Sequence, residues 1–128
     1  MPQANEPTKA LRVLVVDDDT MIAELLAAML EKMGFEVCAT VATEADAVTA
    51  AVQHRPDLMI VDVRLGDGSG IAAVDEILRT GFIPHLFMTG NVAAVKALRP
   101  GAVVLQKPFR DVELTRAIQS ALDAAAAP

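Results

Sequence analysis

The stretch LRVLVVDDDTMIAELLAAMLEKMG, residues 11–34, decides the fold. Leu11 to Val16 is short, rich in β-branched residues and almost unbroken in hydrophobicity, the pattern of a strand buried on both faces. It stops abruptly at Asp17-Asp18-Asp19. From Thr20, a plausible N-cap, apolar residues fall at Ile22, Leu25, Leu26, Met29, Leu30 and Met33, the spacing of one helical face, so that the methionines of this helix read as core. Gly34 supplies the stop. A buried strand feeding an amphipathic helix is the unit from which parallel sheets are built.

Outward from that unit the alternation continues. Phe35 to Val41 reads as a strand, and Thr43 to His54 as a helix with a capping-box-like Thr43 and Asp46. Leu58 to Val61 reads as a strand after the Arg55-Pro56-Asp57 break. A loop from Asp62 to Gly70, with three glycines, leads to a helix through Ile71, Val74, Ile77 and Leu78. His85 to Met88 is a fourth strand, and Asn91 can cap a short helix through Val92, Val95 and Leu98. The Arg99-Pro100-Gly101 turn precedes a fifth strand, Val103 to Gln106. The last helix runs from Asp111 to about Ala125 with Leu114, Ile118, Ala121 and Leu122 inward. The pattern is a (βα)5 α/β domain: a five-stranded parallel sheet, doubly wound with helices on both faces through right-handed crossovers. Residues 1–10 read as a flexible tail, 11–125 as the domain and 126–128 as a fraying end.

Composition agrees with that architecture. The 128 residues suit one domain, and 53% are hydrophobic with no Trp or Tyr, so Val, Leu, Ile, Met and Ala must fill the core. The formal charge of −6 opposes contact with a phosphate backbone and predicts no direct nucleic-acid binding. No apolar run approaches the roughly 18 to 20 residues that span a bilayer, and the polar N-terminus has no signal-like core, so a cytoplasmic protein without membrane association is expected. Cys38, the one cysteine, reads as a small buried apolar residue. His54 and His85 stand without ligand neighbours and read as structural.

Open sheets of this kind bind ligands outside the carboxyl ends of their strands. Those ends carry Asp17 and Asp18 after the first strand, Asp62 after the third, Thr89 after the fourth and Lys107 after the fifth. Converging carboxylates repel one another unless a cation shares the site, and Mg2+ suits one or two carboxylates plus a phosphate. An ammonium and a hydroxyl can then take the remaining phosphoryl oxygens, and a carboxylate can attack phosphorus. Asp19 has the simpler reading of a turn residue capping the first helix.

The runs VLVVDDD, PDLMIVDVRLGDGSG, FMTGN and QKPF resemble, in order and placement, the motifs of two-component response-regulator receiver domains, here of single-domain type. The resemblance implies a flavodoxin-like strand order 2-1-3-4-5. It makes Asp62 the phosphoacceptor, with its carboxylate, that of Asp18 and the backbone carbonyl of Arg64 holding Mg2+ and Asp17 assisting largely through water. Thr89 would bind a phosphoryl oxygen, Lys107 would pair with the phosphate, and Pro108 is expected after a cis bond. The implied donor is a sensor histidine kinase or histidine phosphotransfer protein, and the output a downstream protein target. A chain of this length leaves no second domain for that output, so it is expected to act by binding as a shuttle, a sink or a switch. Such a protein is a signalling switch rather than a turnover enzyme, although it catalyses its own phosphorylation and dephosphorylation. Arg64 and Asn91 flank the site and could tune attack by water on the phosphoaspartate, or simply be a solvated cation and a helix cap.

Three positions depart from the family pattern. Val104 stands where an aromatic residue usually couples to the threonine, the fourth helix is abbreviated, and Gly66 replaces a common proline. FMTG is similar to the Phe-x-Thr-Gly motif of a receiver subgroup in alphaproteobacterial stress signalling. Two rival readings remain at this point: a non-phosphorylated interaction module with the same fold, and a haloacid-dehalogenase-type phosphohydrolase. The second needs Thr or Val where Met21 stands, and an acidic pair after Lys107 that the sequence lacks.

Overall fold

The computed structural model describes residues 10–126. The main strands are β1 (Arg12–Val16), β2 (Glu36–Val41) and β3 (Leu58–Asp62), then β6 (His85–Thr89) and β7 (Val104–Gln106); a two-stranded hairpin, β4 (Arg64–Leu65) and β5 (Gly68–Ser69), lies between β3 and β6. The helices are α1 (Thr20–Lys32), α2 (Glu44–His54), α3 (Gly70–Leu78), α4 (Val92–Leu98) and α5 (Asp111–Ala126). The five main strands form one parallel sheet in the order β2-β1-β3-β6-β7, which is the expected 2-1-3-4-5 when the hairpin strands are left out of the count.

Side chains alternate across the sheet, and each face meets its own helical layer. Val13, Val15, Leu58, Ile60, Leu86 and Met88 pack against Leu26 and Leu30 of α1 and Leu114 and Ile118 of α5. Leu14, Val16, Met59, Val61 and Phe87 pack against alanines of α2, Val74 and Ile77 of α3, and Val95 of α4. β3 is buried along its whole length. The inward face expected for α5 is the one observed, with Leu114, Ile118 and Ala121 buried and Leu122 packed beside them.

Several local expectations are corrected. Of the two capping candidates, Asp19 and not Thr20 caps α1: its carboxylate accepts from the Ile22 amide, and Thr20 is already helical. Met29 and Met33 pack on the core, but Met21 is 81% exposed and Leu25 60% exposed, because they lie outside the stripe that faces the sheet. The glycine-rich stretch after β3 is not a plain loop; it folds back as the β4–β5 hairpin, with Gly66 at φ +59. Cys38 is half-buried rather than buried, its Sγ 3.4 Å from the Val13 carbonyl, and burial pushes its thiol pKa up. The expected tail, apart from Ala10, and Ala127 and Pro128 lie outside the described residues.

The other stops and caps follow the sequence. Thr43 accepts from the Asp46 amide, Asn91 accepts from the Ala94 amide, and Gly34 leaves α1 at φ +96. At Gly70 a Cβ would overlap the Asp62 carbonyl and stand 2.7 Å from a Val61 methyl, so the start of α3 seats directly on the end of β3.

Candidate functional site

The parallel sheet brings four strand ends side by side, and the buried polar residues among those described, Asp17, Asp62 and Thr89, gather there. β1 ends at Val16, and the next amide, of Asp17, continues the pairing by donating to the Val41 carbonyl at 2.9 Å. That fixes the Asp17 side chain inward, where it is 2% exposed. Its Oδ1 accepts from the Asp19 amide at 2.9 Å. Its Oδ2 is buried without a hydrogen-bond partner, 3.8 Å from Lys107 Nζ.

Asp62 ends β3 and is 8% exposed. Its Oδ1 accepts from the Arg64 amide at 3.3 Å, and its Oδ2 accepts from Lys107 Nζ at 3.1 Å. Asp18 is exposed, and its Oδ2 accepts from the Gly66 amide at 2.7 Å, tying the hairpin to the end of β1. Thr89 ends β6 and is buried; its Oγ1 accepts from the Asn91 amide at 3.0 Å, which leaves its own proton free to donate elsewhere. Lys107 follows β7, its amide donating to the Thr89 carbonyl at 2.8 Å. The Lys107–Pro108 bond is cis, as expected.

These groups open on a cleft of about 640 Å³, whose wall includes Asp18, Asp62, Arg64, Thr89, Asn91 and Lys107. Both Arg64 and Asn91 therefore flank the site, and Asn91 caps α4 as well. The five residues singled out at strand ends are thus assembled in one place.

The electrostatics are those of an acidic site short of positive charge. Burial raises the Asp17 pKa from 3.8 to about 6; the Asp19 amide opposes that rise, the neighbouring Asp62 charge adds to it and Lys107 opposes it. Burial works against the Lys107 charge, but the hydrogen bond to Asp62 and attraction to Asp62, Asp17 and Asp19 outweigh it, so its pKa is raised. One oxygen each from Asp17, Asp18 and Asp62 lies within 4.8 Å of the others. An all-oxygen set with one buried, unpartnered carboxylate oxygen fits a hard divalent cation, which would supply the missing charge and occupy the orphaned Oδ2.

The family model for the response regulator receiver domain matches residues 13–119, from β1 into α5. The chain belongs to that family. Among curated proteins, the receiver domain is 33% identical over 117 residues to the phyllosphere-induced regulator PhyR of Methylorubrum extorquens, covering 88% of this chain and 44% of that protein. It is 34% identical over 115 residues to the transcriptional regulatory protein PdtaR of Mycobacterium tuberculosis, covering 87% of this chain and 56% of the other. The chain thus spans about half the length of the curated relatives it matches. Among solved structures, the solution structure of the Erythrobacter litoralis PhyR receiver domain superposes with a TM-score of 0.83 at 30% identity, covering 93% of this chain and 95% of that one. Receiver domains of two-component response regulators are signalling modules rather than classical enzymes, and the family shown is not the haloacid-dehalogenase one.

Sequence reasoning missed one residue beside the site. Glu44, the first residue of α2, reaches over to the hairpin, where its Oε2 accepts from the Ser69 amide at 2.5 Å. The sequence offers no signal for that contact, because an acidic residue in a first helical turn is explained by the helix alone.

Proposed function

We propose that this receiver domain is a reversible signalling switch in which Asp62 accepts a phosphoryl group from a phosphohistidine. The carrying observation is the setting of Asp62: a carboxylate in an open cleft, held by the Arg64 amide on one oxygen and Lys107 on the other. An Asp62 oxygen attacks phosphorus, the P–N bond of the donor breaks, and the imidazole nitrogen leaves with the bonding pair and takes up a proton. Lys107 then neutralises the charge on the new acyl phosphate, and the Thr89 hydroxyl donates to a phosphoryl oxygen. In the return step water attacks phosphorus and Asp62 leaves as a carboxylate, with Arg64 and Asn91 at the cleft mouth tuning the approach of that water.

Asp17, Asp18, Asp62 and the Arg64 carbonyl would hold Mg2+. When bound, the ion supplies the charge neutralisation that lets an anionic nucleophile approach an anionic phosphoryl group. Positioning and charge carry such transfers, and both are provided here by strand ends rather than by mobile loops.

The donor is a sensor histidine kinase or histidine phosphotransfer protein, the output a downstream protein target, and the setting the cytoplasm. Among the described residues no helix is long and apolar enough to cross a membrane. The Phe87-Met88-Thr89-Gly90 motif and Val104 in place of an aromatic residue support a place in the Phe-x-Thr-Gly subgroup and a stress-signalling or relay role.

Acetyl phosphate with Mg2+ tests the chemistry. Intact mass should rise by one phosphoryl group in the wild type and not in Asp62→Asn. No gain in the wild type with any small phosphodonor or phosphohistidine protein would sink the proposal, leaving a non-phosphorylated interaction module as the surviving reading.

A further inference from the structure

Three carboxylates each accept one backbone amide of the stretch from Arg64 to Ser69. Asp62 takes that of Arg64, Asp18 that of Gly66, and Glu44 that of Ser69. The first two belong to the acidic cluster. Glu44 does not; it stands on α2, partly buried, and its short 2.5 Å bond to Ser69 comes from outside the cleft. Ser69 lies directly opposite Arg64 in the β4–β5 ladder, and its own Oγ accepts from the Ile71 and Ala72 amides to cap α3. The Glu44 bond therefore holds the one residue that joins the strand facing Arg64 to the start of α3.

The sequence leaves room for this bond at Gly68. A Cβ there would stand 2.6 Å from Glu44 Oε2 and 3.0 Å from its Cγ. Gly68 is not at a positive φ, so backbone freedom does not account for a glycine here; the space occupied by the Glu44 side chain does.

We propose that Glu44 is a positioning residue for the metal-binding edge: by fixing Ser69 it sets the hairpin, and with it the Arg64 carbonyl, in place for the cation. The proposal rests on the reading of the acidic cluster as an Mg2+ site. Its physical logic is that of outer groups that orient ligands. Asp18 and Asp62 must both hold the hairpin and face the ion, whereas Glu44 holds the hairpin without touching the ion. Loss of such an outer partner typically weakens metal binding tenfold or more.

The test compares wild type, Glu44→Ala, Glu44→Gln and Gly68→Ala by Mg2+ titration calorimetry and by amide hydrogen exchange of the metal-free proteins. Glu44→Ala should lower Mg2+ affinity about tenfold and speed exchange at Ser69. Glu44→Gln keeps an oxygen acceptor and should restore most of both. Gly68→Ala keeps the carboxylate but displaces it, and should follow Glu44→Ala. A merely structural role for Glu44 would lower the melting temperature of Glu44→Ala and leave Mg2+ affinity of the folded protein unchanged, which would overturn the proposal. So would Gly68→Ala binding Mg2+ as the wild type does while Ser69 exchange is faster. A wild type that binds no Mg2+ overturns the metal reading itself, and the Ser69 exchange data then report separately whether Glu44 holds the hairpin.

Discussion

The two sides of the cleft are built differently. On one side Asp17, Asp18 and Asp62 each accept a backbone amide, and their strands lie inside the sheet rather than at its edges. On the other side Thr89 leads into α4, seven residues long, and then to β7, a three-residue edge strand. The acidic side has few ways to move. The Thr89 side can shift at low cost, because a short helix has little internal hydrogen bonding and a short edge strand few partners. On the proposed function, chemistry and readout would thus be divided between a stiff half and a soft half of one site.

The largest effect should come from the group that bridges the halves. Lys107→Ala should slow phosphorylation of Asp62 by acetyl phosphate about a hundredfold, read as the time course of mass gain, since it removes the ammonium paired with Asp62. A rate within a few-fold of wild type would mean that Lys107 serves only the fold.

Next comes the pH response of the acidic side. Asp17 must be ionised to hold a cation, so Mg2+ affinity should decline once the pH falls below about 6, by up to about tenfold per unit. Metal-free stability should run the other way. Because the folded state holds the Asp17 proton more tightly than the unfolded chain does, this group's contribution is fully present below pH 3.8 and is lost as the pH rises through about 6. Urea unfolding of wild type against Asp17→Asn between these limits isolates the slope. An identical pH dependence in both proteins would show that the raised pKa has no thermodynamic weight.

A smaller effect is expected on the soft side. Arg99, at the end of α4, pairs with Asp75 of α3. Both side chains are well exposed, so Arg99→Ala should cost under about 1 kcal/mol. It should nevertheless speed amide exchange within α4 while leaving the phosphorylation rate alone. Faster exchange spreading to β3 would erase the division into two halves.

The smallest change in chemistry should follow from Val104→Tyr. Val104 pairs with Phe87 across β6 and β7, away from the acidic cluster. Phosphorylation should proceed as in wild type, with any difference confined to partner binding. Abolished phosphotransfer would place the readout residue inside the chemistry.

The fold was legible in the sequence because each strand is a short apolar run closed by a turn signal, and each helix shows one apolar stripe. The acid triplet and Asp62 were legible for a related reason: a polar residue that ends a buried strand has one exit, the carboxyl edge of the sheet. The hairpin was not. Two-residue strands carry no periodicity, and Gly66, Gly68 and Gly70 look alike in sequence although the first supplies a positive φ and the other two supply space. Leu25 and Met21 misled for the opposite reason, since a helical stripe wider than the contact it makes leaves its margins in solvent. Glu44 acts across 25 positions of chain, a distance that no local pattern reports.

Gly70 gives the domain a mechanical asymmetry. With no side chain between the first residue of α3 and the end of β3, helix and strand meet as two solid surfaces, like an anvil under a punch. Displacement of the Asp62 backbone toward α3 has no slack to absorb it. A phosphoryl group on Asp62, as proposed above, would therefore press toward the cleft wall formed by α4 rather than toward α3.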